Sequence, residues 1–190
     1  ISSGLVGSEM CIRDRTWTFE QAKNDDHILI NQLAPAEPGV IVAAALDGDG
    51  DRCLVIQATS TGFKVVDGDE MADMMVNAGT LSGSDWFLAA SIESDLSLLS
   101  NLDRFPGKVV PIETAVGDRW LSFALRAQFD SNSNPKSNVP RIIGVEDSGH
   151  LVLPSMHPSP DLNWTLVGDG AVTLVTFLLA VSNLSLIHIS

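Results

Sequence analysis

The feature that most constrains the fold of this chain is an acidic loop enclosed by two apolar segments. An apolar run at residues 40–46 leads into the hexapeptide Asp47-Gly48-Asp49-Gly50-Asp51-Arg52, and a second apolar run at residues 54–58 follows closely. Apolar runs of this length, bounded by turn residues, are typical of buried β-strands. The sequence therefore predicts two core strands joined by a tight loop that carries three carboxylates.

The three aspartates of this loop repel one another unless a cation lies among them. Gly48 and Gly50 allow the backbone to curl, so that the alternate carboxylates converge on one point. A set of oxygen ligands suits a hard divalent cation, Mg²⁺ or Ca²⁺, rather than zinc or copper. An EF-hand calcium loop beginning at Asp47 would need glycine at its sixth position and glutamate at its twelfth. Arg52 and Ala58 stand there, which excludes an EF-hand.

Two later segments also place charged residues beside turns. Residues 114–120 read Thr-Ala-Val-Gly-Asp-Arg-Trp, and residues 144–150 read Gly-Val-Glu-Asp-Ser-Gly-His. Asp118 precedes a helical pattern and would serve as an N-cap, whereas a cation at Arg119 opposes the helix dipole and so favours a functional use. Glu146 is open to two interpretations, a carboxylate that caps the following turn or a ligand for hydroxyl groups.

Taken in order, the three segments resemble motifs of the α-D-phosphohexomutases, the family of phosphoglucomutases, phosphomannomutases and phosphoglucosamine mutases. The hexapeptide is similar to the family's magnesium loop, and residues 144–150 are similar to its sugar-binding Gly-Gly-Glu-x-Ser-Gly-His loop. Residues 114–120 resemble its Thr-x-Val-Gly-Asp-Arg-Tyr segment, and Gly168-Asp169-Gly170 before an apolar run also matches. The departures remove no ligand; they are Val145, Asp147 and Trp120.

The resemblance implies an enzyme that moves a phosphoryl group between the 1- and 6-positions of a hexose through a phosphoserine and a bisphosphorylated intermediate. Mg²⁺ would be bound by Asp47, Asp49 and Asp51, and Arg52 would support catalysis beside the phosphoserine. A glucose, mannose or glucosamine phosphate would each fit such a loop. The implied substrate-binding residues are Gly117, Asp118, Arg119, Glu146, Ser148 and His150.

Two other functions remain open from the residues alone. The chain could be a non-catalytic module that binds a divalent metal. It could also be a phosphatase with an aspartyl nucleophile, because Asp47-Gly48-Asp49 provides the required Asp-x-Asp pair at a strand end. That chemistry also needs a suitably placed lysine, and no lysine outside the chain ends lies in a convincing motif.

The alternation of strand and helix patterns predicts an α/β fold with a mixed sheet layered with helices. The resemblance divides the chain into the C-terminal part of the family's second domain with the metal loop, residues 16–60, and a nearly complete third domain with the sugar loop, residues 61–183. It also implies that the two loops border one cleft. The predicted strands are residues 40–46, 54–58, 63–66, 86–92, 108–112, 141–145 and 151–153, and the predicted helices are residues 20–32, 69–77, 95–101, 118–129 and 169–182. The helix at residues 118–129 is expected to turn Trp120, Leu121, Ala124 and Leu125 inward, and residues 131–138 are expected to form a polar loop.

The two chain ends are predicted to be foreign to the protein. Met10-Cys11-Ile12-Arg13-Asp14-Arg15 is encoded by ATG TGT ATA AGA GAC AG plus a purine, and the complementary strand, read in frame, encodes the Leu-Ser-Leu-Ile-His-Ile of residues 184–189. Such an inverted repeat is typical of a translated sequencing adapter. Residues 1–15 and 184–190 are therefore expected to be adapter-derived, as a fusion scar would be.

The chain is accordingly expected to be a fragment without mutase activity of its own. The family's first domain supplies the serine nucleophile within a Thr-Ala-Ser-His run, and no such run occurs in the sequence. The arginine- and glycine-rich phosphate-binding loops of the family's fourth domain are also missing.

The charge, hydrophobicity and cysteine content of the chain limit the kinds of molecule that it can bind. The chain has 24 acidic and 11 basic residues and a net charge of −13, which disfavours nucleic acid and anionic membrane surfaces. Its longest apolar stretch, residues 171–181, is shorter than the roughly 20 residues that a bilayer requires. Cys53 is the single cysteine beyond residue 15, so an intramolecular disulfide is excluded there. These features agree with an acidic cytoplasmic enzyme, and the resemblance implies that its substrate is a hexose phosphate.

Overall fold

The computed structural model describes residues 16–128, 140–156 and 164–187. The predicted polar loop at residues 131–138 lies outside the described residues. So do residues 1–15 and 188–190, on which most of the adapter interpretation depends.

The first half of the chain forms a four-stranded antiparallel sheet in the order β1-β4-β3-β2. The acidic loop connects the paired strands β2 and β3, as the two apolar runs predict. β1 was not predicted, because three residues are too few to show a strand period. The strands are β1 (Thr16–Thr18), β2 (Ile41–Leu46), β3 (Cys53–Ala58) and β4 (Gly62–Val66).

The single helix predicted at residues 20–32 is wrong. Two short helices occupy this segment, α1 (Phe19–Lys23) and α2 (Ile28–Asn31). The Asp25 carboxylate accepts hydrogen bonds from Trp17 Nε1 at 2.9 Å and from the backbone N–H of His27 at 2.8 Å. A side chain that binds nearby backbone in this way competes with the helical hydrogen bonds, and the helix ends.

The second half forms a five-stranded mixed sheet in the order β6-β5-β7-β8-β9. The first three strands in this order are parallel, and the last two are antiparallel to their neighbours. The predicted strand pair around the Glu146 loop is confirmed as β7 and β8, whereas β9 was not predicted. The strands are β5 (Trp86–Ser91), β6 (Val109–Thr114), β7 (Ile142–Val145), β8 (Leu151–Met156) and β9 (Trp164–Gly168).

Four helices accompany this sheet, and each overlaps a predicted one. Asp67 caps the first of them by accepting the backbone N–H of Glu70 at 2.9 Å. A short 3₁₀ turn (Leu102–Arg104) follows the second. The helices are α3 (Gly68–Thr80), α4 (Leu96–Ser100), α5 (Asp118–Ala127) and α6 (Gly170–Ile187).

The core continues from one sheet to the other. Val55 and Val66 of the first sheet pack in the same buried cluster as Ile143 and Val145 of the second, together with α3 and α6. The opposite face of the second sheet is covered by α5, whose Leu121 and Leu125 form a separate cluster with Ile142. The prediction of a mixed sheet layered with helices is therefore confirmed.

Two expectations for α5 are wrong. Asp118 does not cap this helix; Gly117 is the N-cap residue and Asp118 is the first helical residue. Trp120 was expected to point inward with Leu121, but 44% of its surface is exposed. The helical period carries Trp120 away from the stripe that Leu121 and Leu125 bury.

The structure also shows where the predicted domain limits fall in the fold. Residue 60 lies in the turn between β3 and β4, which are paired strands of the same sheet. At the other end, α6 extends to Ile187, past the predicted end of this helix at residue 182. Across the described ranges, none of the helices has both the length and the apolar character needed to cross a membrane.

Candidate active site

The carboxyl ends of the parallel strands gather three loops at one edge of the second sheet. Ser91 of β5 pairs in register with Thr114 of β6, and Val145 ends the neighbouring strand β7. The segment before α5 and the Glu146 loop therefore start from the same edge. Loops at this edge are where open α/β sheets commonly bind ligands.

The acidic loop is curled, and its three carboxylates converge. Asp47, Asp49 and Asp51 each offer an oxygen, and these oxygens lie within 4.8 Å of one another. Asp47 shapes the loop, because its Oδ1 accepts the backbone N–H groups of Gly50 at 3.0 Å and Arg52 at 3.2 Å. The convergence expected from the alternating pattern is present.

Arg52 holds the carboxylate of Asp47 from the side. Its Nε donates to Asp47 Oδ2 at 2.7 Å and lies 3.7 Å from Asp51 Oδ1. Burial raises the pKa of Asp47, but the hydrogen bonds from the Arg52 side chain and backbone outweigh it and bring the pKa to about 2. Burial and the neighbouring Asp47 carboxylate raise the pKa of Asp51. Opposite shifts in adjacent carboxylates show how crowded the negative charge is in this loop.

The loop fits a hard divalent cation. The converging donors are carboxylate oxygens, the ligands that Mg²⁺ and Ca²⁺ prefer. Asp51 Oδ1 is buried and accepts no hydrogen bond from the described residues. A buried charged oxygen without a donor is costly, and a cation among the three aspartates would remove that cost.

The Glu146 loop rests directly on the acidic loop. The backbone N–H of Cys53 donates to Gly149 O at 3.0 Å, and Arg52 forms an isolated antiparallel bridge with His150. His150 Nδ1 lies 3.2 Å from Asp51 Oδ2. The two loops that the resemblance placed on one cleft are thus in contact.

Glu146 is oriented by the segment that precedes α5. Its Oε1 accepts the backbone N–H of Gly117 at 2.6 Å. Gly117 has φ +114°, a conformation that favours glycine. The interpretation of Glu146 as a carboxylate that only caps its own turn does not describe this contact between separate loops. Ser148 follows in the same loop, with its Oγ buried and without a hydrogen-bond partner among the described residues.

Asp118 and Arg119 lie beside this contact but point to solvent. Both are exposed, and the Arg119 guanidinium stacks on the Trp120 ring at 4.9 Å from the centroid. The structure therefore brings Gly117 to Glu146, whereas Arg119 contacts the neighbouring aromatic ring.

Sequence reasoning missed the role of Gly170, the first residue of α6. The backbone N–H of Gly170 donates to Gly50 O at 2.8 Å, and a Cβ at Gly170 would lie 2.6 Å from Arg52 O. The first residue of α6 thus packs against the backbone of the acidic loop. The Gly168-Asp169-Gly170 pattern is visible in the sequence. The pattern alone does not show that the backbone of the acidic loop packs against it.

The known proteins that this chain resembles in sequence are phosphoglucosamine mutases. The chain is 34% identical over 152 residues to phosphoglucosamine mutase of Salinispora arenicola, which covers 78% of this chain and 28% of that protein. It is 32% identical over 158 residues to phosphoglucosamine mutase of Acidothermus cellulolyticus, which covers 79% of this chain and 29% of that protein. The chain thus spans less than a third of the length of these relatives. No protein-family model matches it.

Solved structures agree on the fold. A crystal structure of N-acetylglucosamine-phosphate mutase, a member of the alpha-D-phosphohexomutase superfamily in a substrate complex, superposes with a TM-score of 0.51 at 18% identity. The match covers 80% of this chain and 33% of that one. Over the segment that it spans, the chain resembles phosphoglucosamine mutases in sequence and a member of the alpha-D-phosphohexomutase superfamily in fold.

Proposed function

We propose that this chain provides the metal-binding and carbohydrate-binding part of a phosphohexomutase active site. The observation that carries the proposal is the contact between the two loops, in which Asp51 lies 3.2 Å from His150 and Cys53 binds Gly149. Separate sites for a cation and a sugar would need no such contact. A phosphorylated sugar brings both a phosphate for the cation and hydroxyl groups for the carbohydrate loop.

In this proposal Mg²⁺ binds to Asp47, Asp49 and Asp51. When bound, the cation offsets the negative charge of a transferring phosphoryl group. Arg52 fixes the orientation of Asp47 through its 2.7 Å hydrogen bond and adds positive charge beside the phosphate. The protein's part in phosphoryl transfer is then mainly positioning and electrostatic stabilisation.

The carbohydrate hydroxyl groups are bound by the Glu146 loop. Glu146 accepts hydrogen bonds and the Ser148 hydroxyl donates one, which suits neighbouring hydroxyls on a pyranose ring. Gly117 keeps the Glu146 carboxylate in place. Asp118, Arg119 and His150 complete the substrate-binding set, with Arg119 offering its planar guanidinium to a phosphate. The curated relatives are named phosphoglucosamine mutases, so glucosamine phosphate is the first substrate to test.

We further propose that this polypeptide alone does not turn over sugar phosphate and that it acts in the cytoplasm. No Thr-Ala-Ser-His run occurs in the sequence, and the chain covers 28% of the length of a curated relative. A coupled mutase assay with a hexose bisphosphate activator should give no turnover above the level of a protein-free blank. Turnover that depends on the bisphosphate would contradict this part of the proposal.

The metal site is tested by cation titration. Mn²⁺, followed by calorimetry and by the loss of its free electron-paramagnetic signal, should bind saturably to the wild type and compete with Mg²⁺. Asp49→Ala should lose this binding, because a third of the carboxylate set is removed. Asp103→Ala, at an exposed carboxylate outside the loop, is the matched control and should bind as the wild type does. Equal binding by all three proteins would contradict the assignment.

Two further measurements separate this function from the two alternatives. A module that only binds metal would lose cation binding in Asp49→Ala, but Glu146→Ala would leave its affinity for glucosamine 6-phosphate unchanged. An aspartyl phosphatase would form an acyl-phosphate on Asp47, which can be trapped with acetyl phosphate and read by mass spectrometry. Both oxygens of Asp47 already accept hydrogen bonds, so we expect no trapped species.

A further inference from the structure

His150 is buried between the two loops and faces one metal-binding side chain. Its exposed fraction is 7%, and its Nδ1 lies 3.2 Å from Asp51 Oδ2, within hydrogen-bond distance. Gly168 closes the other edge of the ring, where a Cβ would come within 2.6 Å of His150 Cε1 and Nε2. The backbone bridge to Arg52 fixes the residue further. The imidazole therefore has little freedom to turn away from Asp51.

The three aspartates differ in what holds them. Asp47 is fixed within its own loop by Arg52 and Gly50, and Asp49 is exposed. Asp51 faces the other loop, with Oδ2 toward His150 and Oδ1 buried without a hydrogen bond from the described residues. Asp51 Oδ2 thus lies beside the imidazole, and Oδ1, which is 3.7 Å from Arg52 Nε, accepts no hydrogen bond within the described ranges and could bind a cation.

We propose that His150 is a positioning residue that fixes Asp51 for cation binding and thereby couples the acidic loop to the carbohydrate loop. The inference rests on the proposed function, because it requires a cation among the three aspartates. It gives His150 a task other than direct contact with a hydroxyl group of the substrate. Residues that orient a metal ligand in this way commonly change metal affinity about 10- to 100-fold when they are removed.

The coupling has to act in both directions. If cation binding favours the orientation of Asp51 that His150 holds, it also favours the loop conformation in which His150 lies against Asp51. The cation should then order residues 146–150 although their own side chains are not its ligands. Carbohydrate bound by Glu146 and Ser148 would in turn raise the affinity for the cation.

Two substitutions separate positioning from packing. His150→Phe keeps a ring of similar size but removes the Nδ1 donor, and His150→Asn places an amide nitrogen near the position of Nδ1. Mn²⁺ affinity, measured by calorimetry on the full chain, should fall about 10- to 100-fold in His150→Phe and stay within about threefold of the wild type in His150→Asn. Thermal unfolding without cation shows whether each variant is folded.

Amide hydrogen exchange of the wild type tests the coupling between the two loops independently and needs no variant. Addition of saturating Mg²⁺ should slow exchange in residues 146–150 at least about threefold, the size of a coupling of roughly 0.6 kcal/mol. Unchanged exchange there, wild-type Mn²⁺ affinity in His150→Phe, or equal losses in both variants would each overturn the inference. Absence of saturable Mn²⁺ binding by the wild type would instead reject the metal site of the proposed function, and the inference with it.

Discussion

Among single residues, Asp47 and Gly149 do most to shape the candidate site. Asp47 accepts three hydrogen bonds that curl the acidic loop. Gly149, at φ +91°, lets the Glu146 loop approach so closely that the backbone N–H of Cys53 donates to the Gly149 carbonyl oxygen. The hexapeptide predicted the convergence of the carboxylates. The contact with the second loop could not be read from sequence, since it depends on the meeting of two sheets.

The low pKa of Asp47 predicts a loss of stability in acid. Its pKa is about 2 in the folded chain against an ordinary value of 3.8, so ionised Asp47 stabilises the fold fully above about pH 4. That contribution is lost as pH falls from about 4 to about 2, and it amounts to on the order of 1–2 kcal/mol. Urea unfolding of wild type and Asp47→Asn in EDTA should show their difference shrinking over this range. A difference that stays constant with pH would contradict the assignment.

Gly149→Ala should destabilise the chain and weaken the contact between the loops. A Cβ at Gly149 would lie 2.4 Å from Cys53 O, on a backbone with φ +91°. The expected loss is at least about 2 kcal/mol of unfolding free energy. Gly48→Ala is the matched control, because nothing lies within 4 Å of a Cβ there, and its effect should stay within about 0.5 kcal/mol. Equal unfolding midpoints for the two variants would contradict the described loop contact.

At the scale of elements, the apolar pattern predicted the long strands and helices. It failed for segments whose secondary structure is determined by tertiary contacts. β2, β3 and α3 follow from apolar runs and a capping aspartate. β1 and β9 exist through pairing with distant strands, which a local pattern does not reveal. The helix predicted at residues 20–32 is broken by side-chain hydrogen bonds of Asp25.

The burial pattern of α5 predicts opposite responses at two neighbouring positions. Leu125 is fully buried against the second sheet, whereas 69% of Phe123 is exposed. Leu125→Ala should reduce the unfolding free energy by about 2–5 kcal/mol. Phe123→Ala should change it by less than about 0.5 kcal/mol. Denaturant titrations of both variants test this, and a larger loss in Phe123→Ala would mean that the helix is rotated from the described orientation.

Strand β3 should protect its cysteine from reagents. Cys53 is fully buried, and burial raises the pKa of its thiol to about 11. In a Cys11→Ser background, 5,5′-dithiobis(2-nitrobenzoate) should react with the native chain only through unfolding and at once in 6 M guanidinium. Since the thiolate is the reactive form, rapid labelling of the native chain would show that β3 is not in the core.

At the scale of the whole molecule, the two sheets share a core and meet where the acidic loop contacts the Glu146 loop. Val55, Val145 and Phe177 lie in one buried cluster, so the position of one sheet is fixed relative to the other. The residues proposed for the candidate site were chosen from sequence motifs alone. Their arrangement depended on this shared core, which the pattern of short elements does not specify.

The most direct test of the central claim is calorimetric titration of the full chain with glucosamine 6-phosphate, with and without Mg²⁺. If the two loops form one site, Mg²⁺ should strengthen binding of the sugar phosphate at least about tenfold, a coupling within the usual range of 1–3 kcal/mol. Asp49→Ala should abolish that enhancement, and Glu146→Gln should weaken binding with or without the cation. Sugar phosphate affinity that is the same with and without Mg²⁺, and the same in Asp49→Ala, would contradict a shared site.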